Sequence, residues 1–371
     1  MRISTEVAAA LYVLSGICQP LLVSSMKKAG LADASAQLYM FFYYAGPSLF
    51  LITFCLPNRL VDNTTPLPSL RVMLLSSLLS IFDIAAQVLN YTGAGLAGAT
   101  IFAIVYSSVT VWTAVWNRIF LHRLLTTRQW TAIALVFLGL CVTAWNSTKT
   151  SKDDTTSSTA TTTPVAWGTL LTLLGSCMHG GFYVMSDALM MEGRMSSSGE
   201  RRHFLYPREM TALQSAVACC GLGLWQLWYT LPRWHALISA PLEAAGTTPW
   251  TAIRLLATFA AANMVHASSF YFTIANYPGK STSAGVFKGL QAVLVFVVAH
   301  WVFCDSTPEM CWSGKKMLSL VMVVSGVILF NMEVARSKSV TTTPLRGGAQ
   351  TPRYDSIDAT TAMANESSSL P

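Results

Sequence analysis

"SAGVFKGLQAVLVFVVAHWVF", residues 283–303, decides the class of fold. The stretch is almost entirely apolar, and at 1.5 Å per residue a helix of this length crosses the hydrocarbon core of a bilayer. Yet Lys288 sits five residues in, where an isolated cation at bilayer depth costs roughly 2.5–3.5 kcal/mol on insertion scales. Comparable runs recur along the chain: Val7–Ser25, Ala36–Leu56, Leu70–Asn90, Leu96–Ile119, Gln129–Trp145, Val165–Met185, Met210–Leu231, Ala252–Ile274, Ser283–Phe303 and Met317–Met332. Composition agrees. The 371 residues are 53% hydrophobic with a mean hydropathy of +0.47, and only 11% are charged. Ordinary soluble domains carry about 25% charged residues, and a soluble fold of this size could not cover its surface with so few. The expected fold is all-α and membrane-embedded, with ten transmembrane helices.

The net charge of +7 does not imply nucleic acid, because Lys and Arg sort by side in a membrane protein. With the N-terminus in the cytosol, the inside segments carry fifteen Lys and Arg, including Arg59, Arg118, Arg123, Arg128, Arg201, Arg202 and Lys280. The opposite side carries eight, among them Lys27, Lys28, Lys315 and Lys316. Both termini are therefore expected in the cytosol. The first apolar run is read as a span, since its core is too long for a cleaved leader and Lys27-Lys28 follow it directly. "NSTKTSKDDTTSSTATTTP" (146–164) is too polar to bury a core. The expected organisation is a first five-helix repeat over 1–146, a Ser/Thr-rich linker over 147–164, a second five-helix repeat over 165–333 and a disordered cytosolic tail over 334–371.

Eight cysteines show no metal-ligand spacing, and no metal or cofactor is expected. Cys304 and Cys311 share the last non-cytosolic loop at a separation that a disulfide can close, with reduced thiols the default.

The two halves echo each other. "NYTG" (Asn90–Gly93) stands before the fourth span and "NYPG" (Asn276–Gly279) before the ninth. Gly16-Ile17-Cys18 in the first span has a counterpart in Gly175-Ser176-Cys177 in the sixth. Five helices per copy is odd, so the second copy must run inverted. Inverted repeats are a transporter architecture, with the binding site near the midplane between the halves.

The stretch "YTGAGLAGATIFAIVYSSVTVWTAVWNRIFLHRLLTTRQWTAIALVFLGLCV" resembles the drug/metabolite transporter superfamily, which includes the EamA-like and nucleotide-sugar transporters. The resemblance runs from the first span to the tenth and is strongest over 90–145 and 276–331. It implies ten helices as two inverted five-helix repeats, both termini cytosolic. Bacterial relatives carry a Gly-Glu pair after the fourth and ninth helices. Here Leu121-His122-Arg123 and Cys304-Asp305 stand instead, which points to the solute-carrier-35-like branch. "GVFKG" is similar to the Lys-Gly element of that branch, and the resemblance implies that Lys288 lies at a substrate site.

Polar residues inside apolar spans are the candidate substrate-binding groups. Lys288 is flanked by Gly285 and Gly289, a spacing that admits a close neighbour; snorkelling to the interface is the bland alternative. Asp83 lies mid-span and must be paired, neutral or facing water. An ion pair with Lys288 is one solution, a proton-carrying role another. His179, within the Gly-rich "GSCMHGG", and Gln19, beside Pro20, sit where Gly or Pro is expected to interrupt a helix. His266 and Gln291 add polar groups deep in the eighth and ninth spans. Tyr43 and Tyr44 precede Pro47 and offer a stacking platform. Tyr106, Tyr183 and Tyr271 are weaker candidates of the same kind.

No catalytic motif survives this topology, and an enzyme is not expected. The expected function is secondary transport by alternating access, with a nucleotide sugar or another anionic phosphorylated metabolite suggested by Lys288. Asp83 and the histidines would instead suit a proton-coupled organic cation or vitamin amine, and a non-transporting scaffold is a third reading. Expected partners are the small-molecule substrate, protons and the lipid bilayer, with no nucleic acid and homodimerisation left open. Golgi or another endomembrane fits the resemblance. "YDSI" (Tyr354–Ile357) would instead suit plasma membrane or lysosome.

Overall fold

The computed structural model describes residues 4–33, 35–52, 70–97, 102, 105–150, 162–191, 206–304 and 314–342. Among these, regular structure is helical throughout, with no strand. The long helices are α1 (Thr5–Lys28), α2 (Leu38–Ser48), α3 (Leu70–Ala97), α4 (Val109–Phe120), α5 (Thr127–Thr150), α6 (Thr162–Met191), α7 (Pro207–Trp225), α8 (Pro249–Asn276), α9 (Lys280–Phe303) and α10 (Gly314–Thr342). Residues up to Val334 form one compact unit, and Ala335–Pro371 form a second that begins within α10. Thr5–Lys28, Leu70–Ala94 and Lys280–Val302 are each long and apolar enough to cross a membrane.

The burial pattern reverses that of a soluble protein. On α3 the buried face is Ser76, Ser80, Asp83, Gln87 and Asn90, a polar stripe at helical spacing, while Leu74, Leu78 and Ile81 point outward. The same holds on α4, where Thr110, Thr113 and Asn117 are buried, and on α6, where Thr172, Ser176 and His179 are. Apolar side chains turned outward need a non-aqueous surround, and the polar groups are gathered inside the bundle.

The most extensive helix pairings recur under a shift of five, whereas α7 with α8, α8 with α9 and α6 with α9 have no counterpart of similar extent. α1 packs on α8 as α6 packs on α3; α2 on α8 as α7 on α3; α4 on α6 as α9 on α1. Two further contacts, α2 with α7 and α4 with α9, map onto themselves. Glycines set the closest approaches. A Cβ on Gly46 of α2 would strike the Ala260 carbonyl of α8, and one on Gly180 of α6 would meet Trp112 and Thr113 of α4. Gly285 admits α4 so closely that Thr110 Oγ1 donates to its carbonyl at 2.7 Å.

Several boundaries differ from expectation. "NYTG" lies inside α3, which runs unbroken to Ala97, whereas "NYPG" separates α8 from α9. The difference is Pro278 against Thr92. A proline forces the preceding residue out of the helical region, and Tyr277 is indeed extended (φ −78°, ψ 141°). Gly279 then turns the chain with φ 81°. Gly180, Gly181 and Pro20 interrupt nothing: α1 and α6 continue through them, and Gly180 serves close packing instead. After Trp225 the chain continues through a π-helical turn (Gln226–Thr230), a 3-10 turn at Pro232, a second π turn (His235–Ser239) and a short helix to Ala244. Helix also extends into both polar segments read as unstructured, through Thr150 and to Thr342.

That segment folds over the α1–α2 loop. Gln226 Nε2 and Thr230 Oγ1 both donate to the Ala36 carbonyl, at 2.9 and 2.8 Å, and Trp225 Nε1 donates to that of Ser35 at 3.1 Å. Asp33 shapes the loop by accepting from the Ser35 and Ala36 amides, each at 2.8 Å. Partial burial opposes ionisation there, but the donors from Ser35 and Ala36 win and hold the Asp33 carboxyl below its usual range. Cys304 is disulfide-bonded. Cys311, the partner suggested by the hairpin, lies outside the described residues.

Candidate functional site

The buried polar stripes converge on a small pocket of about 50 Å³ between α2, α3, α6, α7, α8 and α9. Six of the eight sequence candidates line it: Lys288, Asp83, His179, His266, Tyr43 and Tyr44. Gln19 stands one step behind, donating through Nε2 to Asn263 Oδ1, while the Asn263 amide donates to the Tyr43 carbonyl on the chamber wall. Gln291 is not part of the lining. Its Nε2 donates to the Tyr12 carbonyl at 2.8 Å, and it packs against Gly16, where no Cβ would fit.

Asp83 and Lys288 are the chamber's carboxylate and its ammonium, and no ion pair joins them. Asp83 Oδ2 accepts from the Tyr44 hydroxyl at 2.7 Å, and its Oδ1 has no partner among the described residues. Lys288 does not snorkel to the interface: its Nζ stands 5.5 Å from the centre of the Tyr106 ring. Phe102 stacks on that same ring at 5.2 Å.

The histidines are held by aromatic packing. His266 stacks on Tyr12 at 4.8 Å, and its Nδ1 lies 3.1 Å from Ser15 Oγ. His179 meets Tyr106 and Tyr183 edge-on, at 5.8 and 5.1 Å, and its Nδ1 is buried without a partner. Gln214 of α7 accepts from the Tyr271 hydroxyl through Oε1 and leaves Nε2 unpartnered. Buried polar atoms are hydrogen-bonded in the great majority of cases. Three such orphans on the wall of one chamber, with an ammonium beside them, describe a surface built for polar contents.

Gln87, Gln214, Ser215 and Asn263 are wall residues that sequence reasoning did not single out. Asn263 had a usable signal, since it lies three residues before His266 and shares its helical face. No group of three or more metal-ligating side chains occurs among the described residues.

A helical bundle with an apolar exterior and a polar pocket inside is the frame of an integral membrane protein. Residues 69–188 match the family model described as "Nucleotide-sugar transporter", a family of transporters and not of enzymes. That match covers α3 to most of α6 and stands with the resemblance to the drug/metabolite transporter superfamily. A solved structure titled "Crystal structure of protein" is similar in fold, with a TM-score of 0.55 over 89% of this chain and 98% of that one. At 10% identity the likeness concerns the fold alone. A search of curated proteins found no match.

Proposed function

We propose that this protein is a membrane transporter that carries a small organic metabolite by alternating access, with nucleotide sugars and related phosphorylated anions the first class to test. The chamber carries the proposal: Lys288 supplies a cation without a carboxylate partner, and aromatic rings and amides surround it. The family match over 69–188 supports the same class. The recurrence of the most extensive helix pairings under a shift of five supports ten spans arranged as two inverted repeats.

Ligand sites for molecules of this size usually measure about 300–1,000 Å³. A chamber of about 50 Å³ holds a few waters. In this reading the conformation is one in which the halves have drawn together, and they part on one side to admit substrate. The disulfide at Cys304 needs an oxidising compartment, which supports a non-cytosolic position for that end of α9. Cytosolic termini and residence in the Golgi or another endomembrane follow in this reading.

The test is uptake into proteoliposomes of labelled nucleotide sugars and other phosphorylated metabolites, with and without preloaded exchange substrate. Saturable uptake of an anion supports the proposal, and absence of flux for every class tested would reject it. A second reading, proton-coupled transport of an organic cation, draws on the unpartnered Asp83 Oδ1. It expects uptake driven by a pH gradient and abolished by Asp83→Asn.

A further inference from the structure

A buried cluster joins the two halves about one turn beyond the chamber. Asp187 follows Tyr183 of the chamber wall by four residues on α6, and Ser281 and Thr282 precede Lys288 by about two turns on α9. From the other half come Asn117, near the end of α4, and Arg123, in the turn that follows. Arg123 Nη1 binds Asp187 Oδ2 at 2.5 Å and Asn117 Oδ1 at 3.3 Å. The same Asp187 oxygen accepts from Ser281 Oγ at 2.8 Å and from the Ser281 amide at 3.3 Å. Asn117 Nδ2 reaches Ser281 Oγ and Thr282 Oγ1, at 2.9 and 3.0 Å. Asn117, Asp187, Ser281 and Thr282 are all at most 2% exposed.

We infer that this cluster is the latch of one mouth of the chamber, and that the Arg123–Asp187 pair must break for that mouth to open. The inference rests on the alternating-access reading and adds which residues gate it. Every polar bond between Arg123 or Asn117 and Asp187, Ser281 or Thr282 crosses from the first half to the second. A rocking motion that parts the halves at this end must break them. At the opposite end the closure is made by neutral donors on the Ala36 and Ser35 carbonyls, so the two mouths are closed by different chemistry.

The pair is suited to opening. A buried ion pair repays its desolvation only when every remaining lone pair is satisfied. Asp187 Oδ1 is buried without a partner among the described residues. The latch is specific in geometry and leaves one carboxylate oxygen unsatisfied, which suits a closure that must break. His122, the residue before the arginine, has φ 47°, and the Arg123 amide donates to the Asn117 carbonyl at 3.3 Å. The turn thus holds the guanidinium against α4.

The test uses full-length protein in membrane vesicles of both orientations. Ala267→Cys places a thiol on the chamber wall. Labelling by a membrane-impermeant maleimide is measured from each side, with the same protein lacking that cysteine as background. Asp187→Asn is expected to raise labelling from the latch side at least fivefold and to leave the other side unchanged. The double exchange Arg123→Asp with Asp187→Arg should restore slow labelling. Ser281→Ala, which keeps both charges and the fold, should give an intermediate rise. Unchanged labelling in Asp187→Asn and Ser281→Ala, both running as monodisperse species, would overturn the latch. Because labelling needs no known substrate, the latch can fail while transport stands, and absence of all flux would remove transport while leaving the labelling result intact.

Discussion

Replacing Lys288 by methionine separates a binding role from a structural one, because the two roles predict opposite signs. The side chain's contact is the Tyr106 ring at 5.5 Å, a cation–π contact worth about 0.5–2 kcal/mol. Against this stands the cost of holding an ammonium inside the bundle, several kcal/mol even after relaxation. Methionine has similar length and no charge, so Lys288→Met should leave thermal stability in detergent unchanged or raise it. Substrate binding should move the other way. A hydrogen bond to a charged group contributes about 1.5–3 kcal/mol. At about 1.4 kcal/mol per decade, losing one such bond weakens anion binding roughly 10- to 150-fold. The assay pairs melting with competition uptake in proteoliposomes, comparing wild type, Lys288→Met and Lys288→Arg. Arginine keeps the charge but is larger, so in so small a chamber it should recover only part of the affinity. A large loss of stability in Lys288→Met with unaltered anion affinity would refute the reasoning and make the lysine a structural element.

Three other outcomes follow from the packing. Tyr44→Phe removes the donor to Asp83 Oδ2 and leaves the carboxylate without a partner, which should cost about 1–3 kcal/mol and lower the melting temperature. Gly46→Ala drives a methyl into the Ala260 carbonyl and should cost about 1–3 kcal/mol as overpacking, whereas Gly314→Ala, with open space around it, should be neutral or slightly stabilising. Asp33 has a folded pKa below its unfolded value, so its stabilisation is present above about pH 4 and is lost as pH falls through the folded value. Wild type should therefore lose stability on acidification more steeply than Asp33→Asn, as read by melting across pH 3–6.

The helices were legible because a span is a local property. Length and apolarity of one window suffice for Thr5–Lys28, Leu70–Ala94 and Lys280–Val302, whereas the expected span Leu96–Ile119 begins in α3 and reaches α4 only at Val109. Where elements end depended on single residues: Thr92 lets α3 continue where Pro278 stops α8. The chamber was half legible. Lys288, Asp83, His179 and His266 announce themselves as ionisable groups in apolar runs, but Gln214 and Asn263 do so only weakly. Which polar groups pair was not legible, since pairing depends on helix rotation. Asp83 bonds Tyr44 and leaves Lys288 to an aromatic ring. Asp187 gave no signal, because its partner Arg123 lies 64 residues away, across a polar linker.

The inward polar stripe of α3 also bears on how the protein is made. Ser80 Oγ donates to the Gln214 carbonyl, 134 residues later in the chain. At about 5–20 residues per second of synthesis, α3 leaves the ribosome roughly 7–27 s before that partner exists. Tyr44 of α2 is made first and can cover Asp83 at once, but Ser76 and Ser80 pack against α7 and must wait for it. During that interval the helix carries polar groups with no protein to receive them. Insertion of α3 is thus a step at which the cell's membrane insertion machinery must hold a half-finished bundle, and mutations on this stripe should reduce the yield of inserted protein before they alter transport.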